Sequence, residues 1–314
     1  MSRRDTAWRR LRRRWKHQPG VVPWLLALPQ RGLFLLLRLL PDRLVLGLAD
    51  RVARSAAHSP KRRELGLRHL ARALPEASDA ARADLLRRSC GHLGRSAAEA
   101  VVLWPKHGPG IMAARVDLEP GAAELLDRFR GRGAVVLQAH LGSVEMTTTV
   151  LAAHGHRPGT PMRLPRNHYL AQDLLRTRNS GEAEVLPRQG ALKRMLGLLR
   201  EGRAVVLTFD QNAHHKPIFV PWFGHDAATE RTPAALALRT GAPVLQAWCV
   251  RAGGGRYRFG LRVLSEGGAR READEAELVR VTAEYHRALE EVVLRHPEQY
   301  LWIHDRYRSR PKPA

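Results

Sequence analysis

The stretch Ala134-Val135-Val136-Leu137-Gln138-Ala139-His140-Leu141-Gly142-Ser143-Val144-Glu145 decides how the chain is read. Its first four residues form a short, continuous apolar run of strand type, and Gly142 opens a helix candidate over residues 142 to 153. A second unit of the same kind follows: a helix candidate at residues 190 to 200, then Ala204-Val205-Val206-Leu207 as strand. Pro243 to Val250 and Arg256 to Val263 flank Gly253-Gly254-Gly255 and read as an antiparallel hairpin. Residues 273 to 295 make a last helix, apolar at Leu278, Val281, Leu289 and Val293. Upstream, Lys61 to Leu103 is helical in pattern, with Leu74-Pro75-Glu76-Ala77-Ser78-Asp79 supplying a turn and a helix cap. Strands alternating with helices predict an α/β fold with a mixed central sheet flanked by helices. No linker divides residues 60 to 314, so residues 56–314 are taken as one α/β domain behind a separate N-terminal segment, residues 1–55.

The 314-residue chain carries 53 basic and 30 acidic residues, a formal net charge of +23. Lysine stands only at positions 16, 61, 106, 193, 216 and 312, so arginine carries nearly all the positive charge. A guanidinium pairs bidentately with phosphate or carboxylate, so an anionic partner follows: nucleic acid, anionic lipid or an acidic carrier protein. The coding preference of an arginine-rich proteome would contribute to the same bias. The two cysteines, Cys90 and Cys249, stand in apolar surroundings away from any metal-ligand spacing, which argues against a disulfide framework or a zinc site.

Residues 1 to 16 hold seven arginines and one lysine against one acid. The apolar run Val21 to Leu28 behind them is short of the roughly 20 residues that cross a bilayer, and Pro23, Pro29, Gln30 and Arg31 interrupt or end it. The next run, Leu33 to Leu40, contains Arg38 and stops at Pro41, and no small-residue cleavage site follows. Leu44, Val45, Leu48 and Val52 then repeat at helical spacing opposite Arg43, Asp50, Arg51 and Arg54. Residues 20 to 55 are therefore expected to lie in the membrane interface, with arginines facing anionic headgroups on the cytoplasmic side. A core helix pair behind a basic tail is the alternative.

His140 precedes Glu145 by five residues, a spacing that recurs at His168/Asp173, His225/Glu230 and His286/Glu291. Inside one helix, five residues leave side chains roughly 140° apart, so His286 and Glu291 would not meet. His140 differs because it follows a strand, where open α/β sheets hold their ligands. Chain reversal at Gly142 can bring Glu145 to it. A carboxylate on one imidazole nitrogen fixes the tautomer and leaves the other free to take a proton, the arrangement that activates an alcohol. A histidine satisfied structurally at a strand end is the bland alternative.

Val135 to Glu145, the pair Asp210-Gln211, Val220-Pro221-Trp222-Phe223-Gly224, Thr240-Gly241-Ala242-Pro243-Val244 and the terminal run His296-Pro297-Glu298-Gln299-Tyr300-Leu301-Trp302-Ile303-His304-Asp305-Arg306 up to Pro311 together resemble the lipid A biosynthesis (lauroyl/myristoyl) acyltransferase family, within the lysophospholipid acyltransferase-like superfamily. The likeness spans roughly residues 40 to 311, and the terminal motif is its most specific part. Arg62 to Leu70 looks like the family's early helix, with His69 near where the family usually has asparagine. The resemblance implies a glycerolipid acyltransferase-like fold, with an N-terminal membrane-associated helical segment, and an O-acyltransferase that moves a fatty acyl group to a hydroxyl of a lipid A-type precursor. His140 and Glu145 match the family's catalytic pair, base and orienting acid. Arg163, Asn167 and Arg178 fall where family arginines and an asparagine would clamp phosphates, and Asp210 and Gln211 match a motif that supports the site or positions the acceptor. Backbone amides at Gly142 and Ser143 are the candidate oxyanion donors. No metal or redox cofactor is implied; the acyl donor is an acyl carrier protein or coenzyme A thioester. The implied partners are acyl carrier protein, an anionic glycolipid and the inner-membrane surface, with the chain monotopic or singly anchored on the cytoplasmic face. Alternatives are transfer to lysophosphatidate or glycerol phosphate, and a basic nucleic-acid-binding protein, for which no recognisable signature is present. Surface roles for Arg163 and Arg178, capping of the following turn by Asp210, and locking of the terminus by His304 and Arg306 are the structural alternatives.

Overall fold

The computed structural model describes residues 18–179, 182–187 and 190–310; the basic residues 1 to 16 and Pro311 lie outside them. The expected break in the first apolar stretch is absent. Val21–Leu39 forms one helix, α1, with Pro29 inside it. In apolar surroundings an interrupted helix would strand several backbone groups, whereas an internal proline costs one hydrogen bond and a kink. α1 is long and apolar enough to cross a bilayer, and only 11% of it is buried. Its exposed residues include Val21, Trp24, Leu25, Leu26, Leu33, Leu36 and Leu39, a surface compatible with membrane association.

Helix α2 (Asp42–Arg54) packs on the body through Val45 and Asp50, leaving Leu44, Leu48 and Val52 outward. It lies against α4 (Asp79–Ala98), which follows α3 (Pro60–Ala73). A Cβ on Gly94 would sit 2.3 Å from the Ala49 carbonyl oxygen, so the helices meet at backbone distance. Asp50 accepts from Arg54 of its own helix at 2.6 Å and from Arg95 across this contact at 3.1 Å. A π-turn, Glu99–Leu103, leads into α5 (Trp104–Ala113).

The body is a seven-stranded sheet in the order β1-β9-β8-β2-β5-β3-β4. The strands are β1 (Val116–Leu118), β2 (Val135–Gln138), β3 (Gly159–Met162), β4 (Glu184–Pro187), β5 (Val205–Thr208), β8 (Val244–Gly253) and β9 (Arg256–Ser265). Every neighbouring pair is parallel except the hairpin β8–β9, so the sheet is mixed as expected. The connections carry α6 (Ala122–Phe129), α7 (Val144–Ala153), α8 (His168–Arg178), α9 (Ala191–Arg200) and α10 (Thr232–Thr240), and α11 (Glu275–Arg295) closes the fold. β6 (Ile218–Trp222) and β7 (His225–Thr229) form a separate antiparallel pair.

Both twin runs sit at the centre and are buried on both faces. Val135, Leu137, Val205 and Leu207 enter the core that contains Trp222, Leu289 and Trp302. Val136 and Val206 enter the opposite core, with Phe129, Met146 and Tyr257. Fully burying each such side chain contributes about 1.5–3 kcal/mol, which is why these strands read as continuous apolar runs. Cys90 and Cys249 are buried and free.

Candidate active site

β2 and β5 pair in parallel with Gln138 opposite Thr208, offset by 70 positions. Two residues further, where both chains leave the sheet at its carboxyl end, stand His140 and Asp210. The Nδ1–H of His140 donates to Asp210 Oδ1 at 2.6 Å, and the His140 backbone N–H donates to Oδ2 at 2.8 Å. Asp210 is buried while the His140 side chain is 30% exposed. Because a carboxylate can only accept, Nδ1 carries the proton and Nε2 presents a lone pair. Burial alone would lower the basicity of His140; the charge and hydrogen bond of Asp210 outweigh it and hold the imidazole above its ordinary pKa. Asp210 in turn stays below the usual carboxylate range, burial being overcome by His140 and the backbone N–H groups.

The expected contact between His140 and Glu145 is not formed. Glu145, in the first turn of α7, pairs with Arg178 at the end of α8. The helix that begins at Val144 turns its carboxylate toward α8, while the sheet register delivers Asp210 to the imidazole. The expected oxyanion donors are also engaged. The Gly142 N–H donates to the Gln299 carbonyl at 3.0 Å and the Ser143 N–H to the Cys249 carbonyl at 2.8 Å. Gly142 has φ +61°, and a Cβ there would lie 2.1 Å from the Cys249 oxygen, so only glycine lets the loop press this closely on β8.

Gln211 is brought to the site: its Nε2 lies 3.1 Å from His140 Nε2 and donates to that lone pair. Asn167 is not free for a ligand. Its oxygen caps α8 at the Tyr169 and Leu170 N–H groups, and its amide donates to the Pro23 carbonyl of α1 at 2.8 Å. Arg163 is exposed in the β3–α8 loop and makes no ion pair among the described residues. Of the other histidine–acid pairs, Asp173 is held by Arg31 and Glu291 by Arg262, while buried His286 faces the Pro221 carbonyl.

The terminal motif holds the site from behind. Leu141 and Tyr300 bridge the His140 loop to the last segment, and the Leu301 N–H donates to the His140 carbonyl at 3.2 Å. The Gln299 side chain clamps the backbone of Arg251 at both its N–H and carbonyl. Ser89 donates to the Tyr300 carbonyl at 2.8 Å and His69 to the Trp302 carbonyl at 2.8 Å, so the early helices fix that segment in turn. Arg306 is buried, donating to the Ala228 carbonyl and to Thr229, and His304 accepts from the Asn212 N–H; both lock the terminus. Residues that sequence reading missed include Glu99, Ser96 and Arg251. Arg251 forms a buried ion pair with Glu99 at 2.5 Å, Ser143 donates to Glu99 at 2.8 Å, and Ser96 donates to the Gly142 carbonyl at 2.8 Å.

An imidazole with one nitrogen fixed by a buried carboxylate and the other turned toward a partly open loop, at the carboxyl end of a mixed sheet and in a body carrying an exposed apolar helix, defines a site able to take a proton from an alcohol. The profile of the bacterial lipid A biosynthesis acyltransferase family matches residues 21–309, and the chain belongs to that family. It is 26% identical over 277 residues to the lipid A biosynthesis palmitoleoyltransferase of Escherichia coli (strain K12). The same figures hold for the lipid A biosynthesis acyltransferase of Shigella flexneri, and each alignment covers 87% of this chain and 87% of the relative. The chain is thus an acyltransferase of lipid A biosynthesis, as the terminal motif implied.

Proposed function

We propose that this enzyme moves a fatty acyl group from an acyl carrier protein or coenzyme A thioester to a hydroxyl of a lipid A-type precursor, at the cytoplasmic face of the inner membrane. The observation that carries the mechanism is the 2.6 Å contact of His140 Nδ1 with Asp210, which leaves Nε2 as the base. Nε2 takes the hydroxyl proton as the oxygen attacks the thioester carbonyl. The new C–O bond gives a tetrahedral oxyanion, the C–S bond then breaks, and the imidazolium returns the proton to the departing sulfur. Asp210 stabilises the imidazolium and holds its tautomer, the role first expected of Glu145.

With the Gly142 and Ser143 amides engaged, the oxyanion needs another donor, and Gln211 is placed to supply one. Its carboxamide N–H rests on Nε2, so it must move aside when the hydroxyl arrives, and it then lies within reach of the carbonyl oxygen. Arg163 is exposed for a phosphate, and Arg178 keeps Glu145 neutralised beside the site. The experiment is mass spectrometry of a lipid A precursor incubated with purified enzyme and acyl-carrier thioester. One added acyl chain is expected, and none with His140→Ala that still unfolds cooperatively. Undiminished transfer by that variant would refute the base assignment.

A further inference from the structure

Between α1 and α8 runs a groove of about 380 Å³ with apolar walls that include Phe34, Val101, Leu170 and Leu174. α8 is an eleven-residue helix with no buried residue, so its apolar side chains face this space incompletely covered. The helices are held apart but tied together: Arg31 donates bidentately to Asp173 at 2.7 and 2.8 Å, and Asn167 bonds the Pro23 carbonyl. The outer wall is α1, whose remaining apolar surface is open, so the groove opens at the depth of that helix.

Two cations line the groove besides the paired Arg31. Arg38 makes one long bond, 3.4 Å to the Val101 carbonyl, and its Nε is buried with no hydrogen-bond partner. Arg176 is exposed and has no ion pair among the described residues. A buried, unpartnered guanidinium N–H is costly unless a ligand supplies an acceptor. Apolar walls lined by one half-buried and one exposed guanidinium match an amphiphile with a hydrocarbon chain and a phosphate. The chain's first sixteen residues, seven of them arginine, match poorly in charge. The inner end fits the reaction: Thr177 lines the groove, and the next residue, Arg178, pairs with Glu145 on the helix that leaves the His140 loop.

We infer that this groove seats one hydrocarbon chain of the phosphate-bearing acceptor lipid, with Arg38 and Arg176 meeting its phosphate. The inference rests on the proposed acyl transfer for the identity of the lipid, but its binding test needs no turnover. The probes are phosphatidic acid and phosphatidylcholine, each with a diazirine in one acyl chain, photolysed in detergent micelles with the full chain. Phosphatidic acid should label Phe34, Leu170 and Leu174 in preference to the outward Leu36 and Leu39. Unlabelled phosphatidic acid should compete, and Arg38→Gln should lower the labelling about tenfold, as loss of a charge-assisted hydrogen bond requires. Labelling spread evenly along α1, or equal labelling of the groove by phosphatidylcholine, overturns the proposal. With turnover, Leu174→Trp should raise KM for the glycolipid about tenfold and leave KM for the thioester unchanged. The reverse pattern removes the acceptor from the groove, while absence of acyl transfer by the unaltered enzyme would fail the proposed reaction and leave the labelling result standing.

Discussion

His140 and Asp210 stand level with each other two residues beyond the ends of adjacent parallel strands, 70 positions apart in the chain, with 2.6 Å between Nδ1 and Oδ1. A local pair can be disturbed by one helix shift. This pair is set by the register of two fully buried strands, so its geometry is as rigid as the core itself.

The first prediction separates the two carboxylates. A base works only when unprotonated, so activity should rise with pH through the His140 pKa, which Asp210 keeps above the ordinary histidine value. Asp210→Asn removes the cause of that elevation, so the acidic limb of kcat/KM should move to lower pH while the plateau falls about 10²- to 10⁴-fold. Glu145→Gln should leave the limb in place. A limb that moves with Glu145 and not with Asp210 would restore Glu145 as the orienting acid.

Gln211→Ala tests the oxyanion donor. The loss should appear in kcat, about a hundredfold, with KM for the acceptor changing much less. Gln211 sits between two anchored neighbours, Asp210 on His140 and Asn212 on His304 and Ser309, so the truncation should leave the unfolding midpoint unchanged. A variant with wild-type kcat would return the search for the donor to other groups.

Much of this was legible from residues, and the failures have physical causes. The central strands, the glycine hairpin and the last helix were readable because burial on two faces or one writes itself as a run or a period. The carboxylate that meets His140 was not, since five-residue spacing sees only local neighbours and the partner arrives through strand register. The signal was nevertheless present: Ala134-Val135-Val136-Leu137 and Ala204-Val205-Val206-Leu207, laid side by side, bring His140 opposite Asp210. β3 and β4 escaped notice because Gly159, Pro161 and Pro187 dilute their strand character. Glu99 falls inside the helical pattern of Lys61 to Leu103 with nothing to mark it, and only the fold shows Arg251 arriving from β8 to pair with it.

That buried pair yields the third prediction. Arg251→Met leaves the Glu99 carboxylate beneath the Gly142–Ser143 turn without its cation, which should cost about 3–5 kcal/mol in denaturant unfolding. Arg251→Met with Glu99→Leu should recover most of that loss, since no charge then remains buried. If the double variant is no more stable than the single, the ion pair is not what holds the turn.

The fourth prediction concerns acid. His286, His69 and His92 are held neutral chiefly by burial, their pKa values pushed down to about 3, 4 and 4. Below about 6.5 the unfolded chain takes up these protons and the folded chain does not, so stability falls as pH drops and continues to fall until each folded value is reached. By pH 5 each group should cost roughly 2 kcal/mol. His140 acts with the opposite sign: its elevated pKa favours the fold below the unfolded value, and that contribution is lost as pH rises through the folded one. Unfolding midpoints between pH 7.5 and 4.5 should therefore decline steeply, and His69→Asn, which replaces the titrating ring with a neutral donor toward the Trp302 carbonyl, should flatten the decline by one proton's share. A slope unchanged by His69→Asn would mean that this imidazole is protonated in the folded chain, and its hydrogen bond to the terminal segment would then have to be redrawn as that of a cation.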